Sequence, residues 1–74
     1  MENIGIIGAG AWGTALATVA KNAGCNVLIQ AHEVSVVETI NNEHENKLFL
    51  PGIKLDKSIL ATNEVSDVIK SDII

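Results

Sequence analysis

The opening run Ile4-Gly5-Ile6-Ile7 is apolar at every position except one glycine. A strand with no polar alternation is one covered on both faces, as in a parallel sheet between helices. From Ala11 to Ala23 the apolar positions recur at helical spacing, with Ala15, Leu16, Val19, Ala20 and Ala23 on one stripe and Lys21 and Asn22 facing water. Gly24 stands where a left-handed cap would end that helix. Val27-Leu28-Ile29-Gln30 then predicts a second strand, parallel to the first through a right-handed crossover. A second helix is predicted over Val34–Asn42 with Val34, Val37 and Ile40 inward, followed by a polar connection, Asn42–Lys47. Apolar character returns at Leu48-Phe49-Leu50, and Pro51-Gly52 forces a turn before Ile53. Ile59-Leu60-Ala61 predicts a third strand. Asn63 is placed to cap a third helix over Glu64–Lys70, with Val65, Val68 and Ile69 inward. Asp72-Ile73-Ile74 has the character of the first residues of a fourth strand.

The chemistry concentrates between the first strand and the first helix. Gly8, Gly10 and Gly13 have the spacing G-x-G-x-x-G, directly after an apolar run and directly before a helical pattern. Each glycine has a separate expected task. Gly8 lets the chain leave the strand through a tight turn that a side chain would obstruct. Gly10 leaves room for a diphosphate to approach the backbone, and Gly13 lets the helix pack closely on the strand. The free N–H groups and the dipole at the helix start favour an anion there. Dinucleotide binding is therefore expected, against the plainer reading of a strand–helix turn that merely needs glycines.

Strands alternating with helices around this turn predict an α/β fold, a Rossmann-like doubly wound parallel sheet truncated at the start of the fourth strand. In the order 3-2-1-4 the fourth strand flanks the first, which would otherwise be an exposed apolar edge. Residues 1–74 are accordingly expected to be the amino-terminal part of a dinucleotide-binding domain, with any substrate domain outside this chain.

Composition narrows the picture further. At 74 residues there is material for one small domain, and 47% hydrophobic with 19% charged residues argues for a globular chain. A net charge of −4 gives no electrostatic reason to bind nucleic acid or an anionic membrane. Phosphate must be drawn by local backbone dipoles instead. The single cysteine, Cys25, forms no internal disulfide, which suits a reducing cytoplasm, and reads as a small apolar residue before a strand. No signal-peptide pattern and no apolar run of membrane-spanning length is present.

Cofactor choice turns on the end of the second strand. Ala31 lies 23 residues after Gly8, near where an acidic residue would accept the ribose hydroxyls of NAD. Alanine neither bonds a hydroxyl nor repels a 2′-phosphate. His32 suits adenine stacking or a phosphate contact, whereas the Glu33 carboxylate would repel a phosphate or bind a free ribose hydroxyl. Both could equally sit at an exposed helix start. His44 and Glu45 lack a second ligand or partner at a defined spacing, so neither a metal site nor an acid/base pair is assigned to them. Trp12, between two glycines, is suited either to packing over the helix start or to walling the dinucleotide.

The stretch Ile7-Gly8-Ala9-Gly10-Ala11-Trp12-Gly13-Thr14-Ala15-Leu16-Ala17 resembles the opening of the bacterial NAD(P)-dependent glycerol-3-phosphate dehydrogenases. His32, the segment Ile40–Lys47 and the block Phe49-Leu50-Pro51-Gly52-Ile53 match that family in order and spacing, so the likeness spans essentially the whole chain. The resemblance implies an oxidoreductase interconverting dihydroxyacetone phosphate and sn-glycerol 3-phosphate with NADP or NAD, for glycerophospholipid synthesis in the cytoplasm. It implies cofactor-binding roles for Ala11, Trp12, His32, Glu33 and Phe49 beside Gly8, Gly10 and Gly13. Ala11 departs from the family's usual serine, and Glu33 from its frequent arginine or aspartate. The family's catalytic lysine and its phosphorylated-substrate domain would lie beyond residue 74, so no catalytic residue is assigned. The fragment alone is expected to be inactive, and the full-length protein to form a homodimer. The rival expectations are a nucleotide-binding regulatory module, or another Rossmann oxidoreductase with a different substrate.

Overall fold

The computed structural model describes residues 2–70 and the backbone of Asp72 and Ile73. Along the chain run β1 (Asn3–Ile7), α1 (Ala11–Asn22), β2 (Asn26–Gln30), α2 (Val34–Glu43), β3 (Leu60–Thr62), α3 (Val65–Val68) and β4 (Asp72–Ile73). The four strands form one sheet in the order β3-β2-β1-β4, the expected doubly wound arrangement. All pairings are parallel. Ile4 stands opposite Val27 and Ile6 opposite Ile29, while Leu28 pairs with Leu60 and Gly5 with Ile73. α1 packs on β1 and β2, α2 on β3, and α3 on β1 and β2. With the right-handed crossovers that parallel strands take, α1 and α2 cover one face and α3 the other. The sequence reading carries the fourth strand on to Ile74, which lies outside the described residues.

Ile4, Ile6, Val27, Ile29, Val36, Ile40, Leu55 and Ile59 make the core between sheet and helices. Ile29 and Ile40 are wholly buried, each contributing about 1.5–3 kcal/mol relative to an exposed side chain. The predicted elements are all present, but several faces differ. In α1 the buried positions are Thr14 and Ala17, with Leu16 and Ala20 half-buried against the core. Val19 is 65% exposed, and Ala15 and Ala23 are exposed too. This helix is apolar almost all round, so periodicity did not single out one face. In α2 the buried residues are Val36 and Ile40, and Val34 faces water. The third helix is only one turn long. Asn63 does not cap it; Glu64 is the capping residue, its N–H donating to Thr62 Oγ1, whose hydroxyl in turn donates to Asp67. Of its expected apolar face only Val68 is buried, while Val65 and Ile69 are exposed.

α1 ends in a tight bonded cap. The Cys25 N–H reaches the Ala20 carbonyl and the Gly24 N–H reaches that of Lys21, with Gly24 left-handed as expected. This closes the βαβ unit and aims β2 back along β1. Among the described residues no helix is long and apolar enough to cross a membrane, and no group of three or more potential metal ligands comes together.

Candidate functional site

At the carboxyl end of β1, where the strand order reverses between β1 and β4, a cleft of about 410 Å³ opens. It is lined by Ile6, Ile7, Gly8, Gly10, Trp12, Gly13 and Leu16. A smaller cleft of about 260 Å³ lies at the opposite end of the sheet around Asn3, Asn26, Ser58 and Leu60. It contains no charged side chain and no helix start, so nothing there favours an anion.

The three glycines of the main cleft do different work. Gly8 has φ +96°, a conformation that side chains strain to adopt, yet a Cβ there would meet nothing within 4 Å. Backbone conformation, and not the obstruction expected from sequence, is what reserves this position for glycine. Gly10 is the N-cap of α1 in an extended conformation, with open space where a Cβ would stand. Gly13 is the close contact: a Cβ there would lie 2.2 Å from the Gly8 carbonyl oxygen and 3.4 Å from Ile6 Cγ2.

The first bond within α1 runs from the Thr14 N–H to the Gly10 carbonyl, 3.0 Å. By helix geometry the N–H groups of Ala11, Trp12 and Gly13 therefore have no helical partner and remain at the open end. No acidic residue occupies this first turn. The local field at the helix start is positive, although the chain as a whole carries −4.

Of the other candidate residues only Trp12 lines this cleft; Ala11, His32, Glu33 and Phe49 are not part of its lining. Ala11 is exposed beside it. Trp12 is 80% exposed, so it does not pack over the helix start. His32 and Glu33 are both exposed just after β2, Glu33 as the N-cap of α2 without a side-chain cap bond. Ala31 is buried in the core. The β2 end is joined to the glycine turn through Gly8, whose N–H donates to both the main-chain oxygen and the Oε1 of Gln30, at 3.0 and 3.2 Å. Phe49 is 40% exposed on the loop after α2.

Three buried polar residues of this region escaped the sequence reading, one of them Thr14, which is wholly buried. Gln30 is 1% exposed, and Asn46 is fully buried. Asn46 Nδ2 donates to the Ala9 carbonyl at 2.7 Å and to Thr14 Oγ1 at 2.8 Å, and its Oδ1 accepts the Phe49 N–H at 3.1 Å. Asn46 lay within a stretch of polar residues, and polarity alone does not separate a buried amide from a solvated one. His44 is half-buried and ends α2 in the left-handed conformation. Glu45 accepts the Gly52 N–H at 3.0 Å, bracing the Pro51-Gly52 turn. Lys47 bonds Glu43 on the surface, which raises the lysine pKa.

Comparison with known proteins gives one consistent result. Residues 3–74 match the family described as NAD-dependent glycerol-3-phosphate dehydrogenase N-terminus. A glycerol-3-phosphate dehydrogenase [NAD(P)+] of Caulobacter vibrioides is 52% identical over 73 residues, covering 99% of this chain and 22% of its own length. The Bacillus velezensis protein of the same name is 40% identical over 70 residues, 95% of this chain and 20% of its own. A crystal structure of glycerol-3-phosphate dehydrogenase from Coxiella burnetii superposes with a TM-score of 0.84 at 30% identity, covering 97% of this chain and 23% of that one. The chain thus spans about a fifth of the length of these relatives.

Proposed function

The chain belongs to the family of NAD-dependent glycerol-3-phosphate dehydrogenase N-termini, and from that premise we propose that it binds NAD or NADP at the mouth of α1. In the intact protein this segment is the cofactor-holding part of an oxidoreductase interconverting dihydroxyacetone phosphate and sn-glycerol 3-phosphate. One observation carries the reading. Gly10 has open space above it, directly before the unpaired N–H groups of Ala11, Trp12 and Gly13.

A dinucleotide fits these residues. Its diphosphate meets bare backbone at Gly8 and Gly10 and the positive end of α1. Trp12 and Phe49 offer apolar walls, and His32 and Glu33 stand at the β2 end, the usual side for the adenosine ribose. The bound nicotinamide supplies the hydride chemistry; this chain supplies position and a fixed electrostatic environment. Glu33 favours a free ribose hydroxyl over a 2′-phosphate, so the chain prefers NADH to NADPH.

Residues 1–74 form the amino-terminal part of the dinucleotide-binding domain. Residues outside this segment bind the small phosphorylated substrate, which is why the segment alone turns over nothing. Family membership also supports a cytoplasmic role in glycerophospholipid synthesis and a homodimer as the working assembly. The test is titration of the intact protein with NADH and NADPH separately, reading quenching of tryptophan emission, to which exposed Trp12 contributes. Saturable quenching that is tighter with NADH is expected. No saturable binding of either would remove the proposal.

A further inference from the structure

Asn46 connects two segments that are distant in sequence, the glycine turn with the start of α1 and the loop after α2. Both amide hydrogens of its Nδ2 are used, one on the Ala9 carbonyl at 2.7 Å and one on Thr14 Oγ1 at 2.8 Å. The Thr14 hydroxyl passes its own hydrogen to the Gly10 carbonyl at 2.8 Å. The two carbonyls flanking Gly10 are thus both held, one by Asn46 directly and one by Asn46 through Thr14. Asn46 and Thr14 are wholly buried, so these carbonyls are drawn toward the interior and away from the open side of the turn. On its other side, Oδ1 of Asn46 takes the Phe49 N–H at 3.1 Å, and the Asn46 carbonyl takes the Leu50 N–H at 2.8 Å.

We propose that Asn46 is a positioning residue for dinucleotide binding, which orients the glycine turn and fixes the Phe49 loop against it. This rests on the dinucleotide reading given above. An anion in the cleft is attracted by N–H groups and repelled by carbonyl oxygens, and the turn at Ala9-Gly10 contains both. Holding the carbonyls from the buried side leaves the N–H ends of the turn for the ligand. Hydrogen bonds to buried backbone suit this task because the alternative, a rotated peptide, leaves the Asn46 amide unpaired in a dry interior. An aspartate at this position would keep the shape and the bond to Phe49, but would donate nothing. Its carboxylate would repel the Ala9 carbonyl and compete with Gly10 for the Thr14 hydroxyl.

The experiment compares Asn46→Asp and Asn46→Ala with Asn41→Ala in the intact protein. Asn41 makes an equivalent pair of bonds elsewhere, bonding the Ala61 carbonyl at 2.9 Å and the Ala61 N–H at 2.8 Å. Calorimetric NADH affinity, steady-state kinetics and thermal midpoints are recorded for each. Expected is NADH binding weaker by about tenfold or more in both Asn46 variants, with KM for NADH raised and kcat at saturation within about twofold of the parent. Asn41→Ala loses stability but binds NADH within about twofold of the parent. Parent-like NADH affinity in Asn46→Asp, or an equal loss in Asn41→Ala, overturns the inference. If both Asn46 variants fail to fold, Thr14→Val decides. It cuts the relay to Gly10 yet leaves the bonds to Ala9 and Phe49, and unchanged NADH affinity there overturns the inference as well. A parent protein that binds no NADH would overturn the function reading and this inference together, whereas a parent that binds with indifferent Asn46 variants removes this inference alone.

Discussion

The carbonyl oxygen of Gly8 occupies the space that a side chain on Gly13 would need, 2.2 Å from the position of its Cβ. The end of β1 and the first turn of α1 therefore approach as closely as backbone allows. That approach sets the angle at which the helix start faces the cleft. Neither atom is the tip of a flexible side chain, so the contact cannot yield cheaply.

Gly13→Ala is expected to destabilise the protein by about 1–3 kcal/mol, because the helix must move off the strand. The same displacement should weaken NADH binding. Urea denaturation gives the first quantity and calorimetry the second. A variant with parental stability would show that the turn relaxes freely.

Gly10→Ala should behave in the opposite way. Its extended backbone (φ −70°, ψ −177°) and open surroundings accept a methyl group. Stability should change by no more than about 1 kcal/mol, since a stiffer unfolded chain offsets the loss of a favoured N-cap residue. NADH affinity should nonetheless fall by about tenfold, since the methyl stands where the diphosphate approaches. Unaltered affinity would place the diphosphate elsewhere.

Glu33→Arg should turn the cofactor preference. The residue is exposed at the N-cap of α2 and makes no cap bond, so replacement costs little stability. Arginine pairs with a 2′-phosphate that a carboxylate repels. The ratio of NADH to NADPH dissociation constants is expected to move about tenfold toward NADPH. A ratio that does not move would take Glu33 out of the adenosine end of the site.

Asp56 offers a check far from the cleft. The Ser58 hydroxyl and N–H both donate to its Oδ1, at 2.6 and 2.9 Å, and these bonds hold its carboxyl below the ordinary aspartate range. A depressed folded pKa contributes stability that is present above the ordinary value and lost as pH falls through the folded one, so the loss lies below about pH 4. In Ser58→Ala the carboxyl should titrate closer to its ordinary value. Carbon-detected NMR titration reads this directly, and an unmoved titration would mean that the hydroxyl does not set it.

Much of the fold was legible because the relevant signals are local. Ile4–Ile7 is apolar without alternation, and Gly24 follows a helical run, so strand and helix boundaries fell within about two residues of those observed. Inward faces were less legible. α1 has apolar residues on nearly every side, and the stripe through Ala15 and Val19 competes with the one through Thr14 and Ala17 that is buried. Val34 and Val65 are exposed, whereas Val36 and Val68 in the same first turns are buried, so which side of the turn meets the sheet decides and not apolar character alone.

The sequence by itself determined the alternation of strands and helices and the glycine turn, since each depends on neighbours within a few residues. The parallel order around β1 followed from that alternation through the rule for β-α-β crossovers. Tertiary structure alone decided that Gly8 is reserved by its φ and Gly13 by contact, that Ala31 faces the core, and that Asn46 is buried. The bonds from Asn46 to Ala9 and Thr14 cross 37 and 32 residues of chain. A hydrogen bond over such a separation leaves no periodic trace, because nothing in the intervening composition has to change for the two ends to meet.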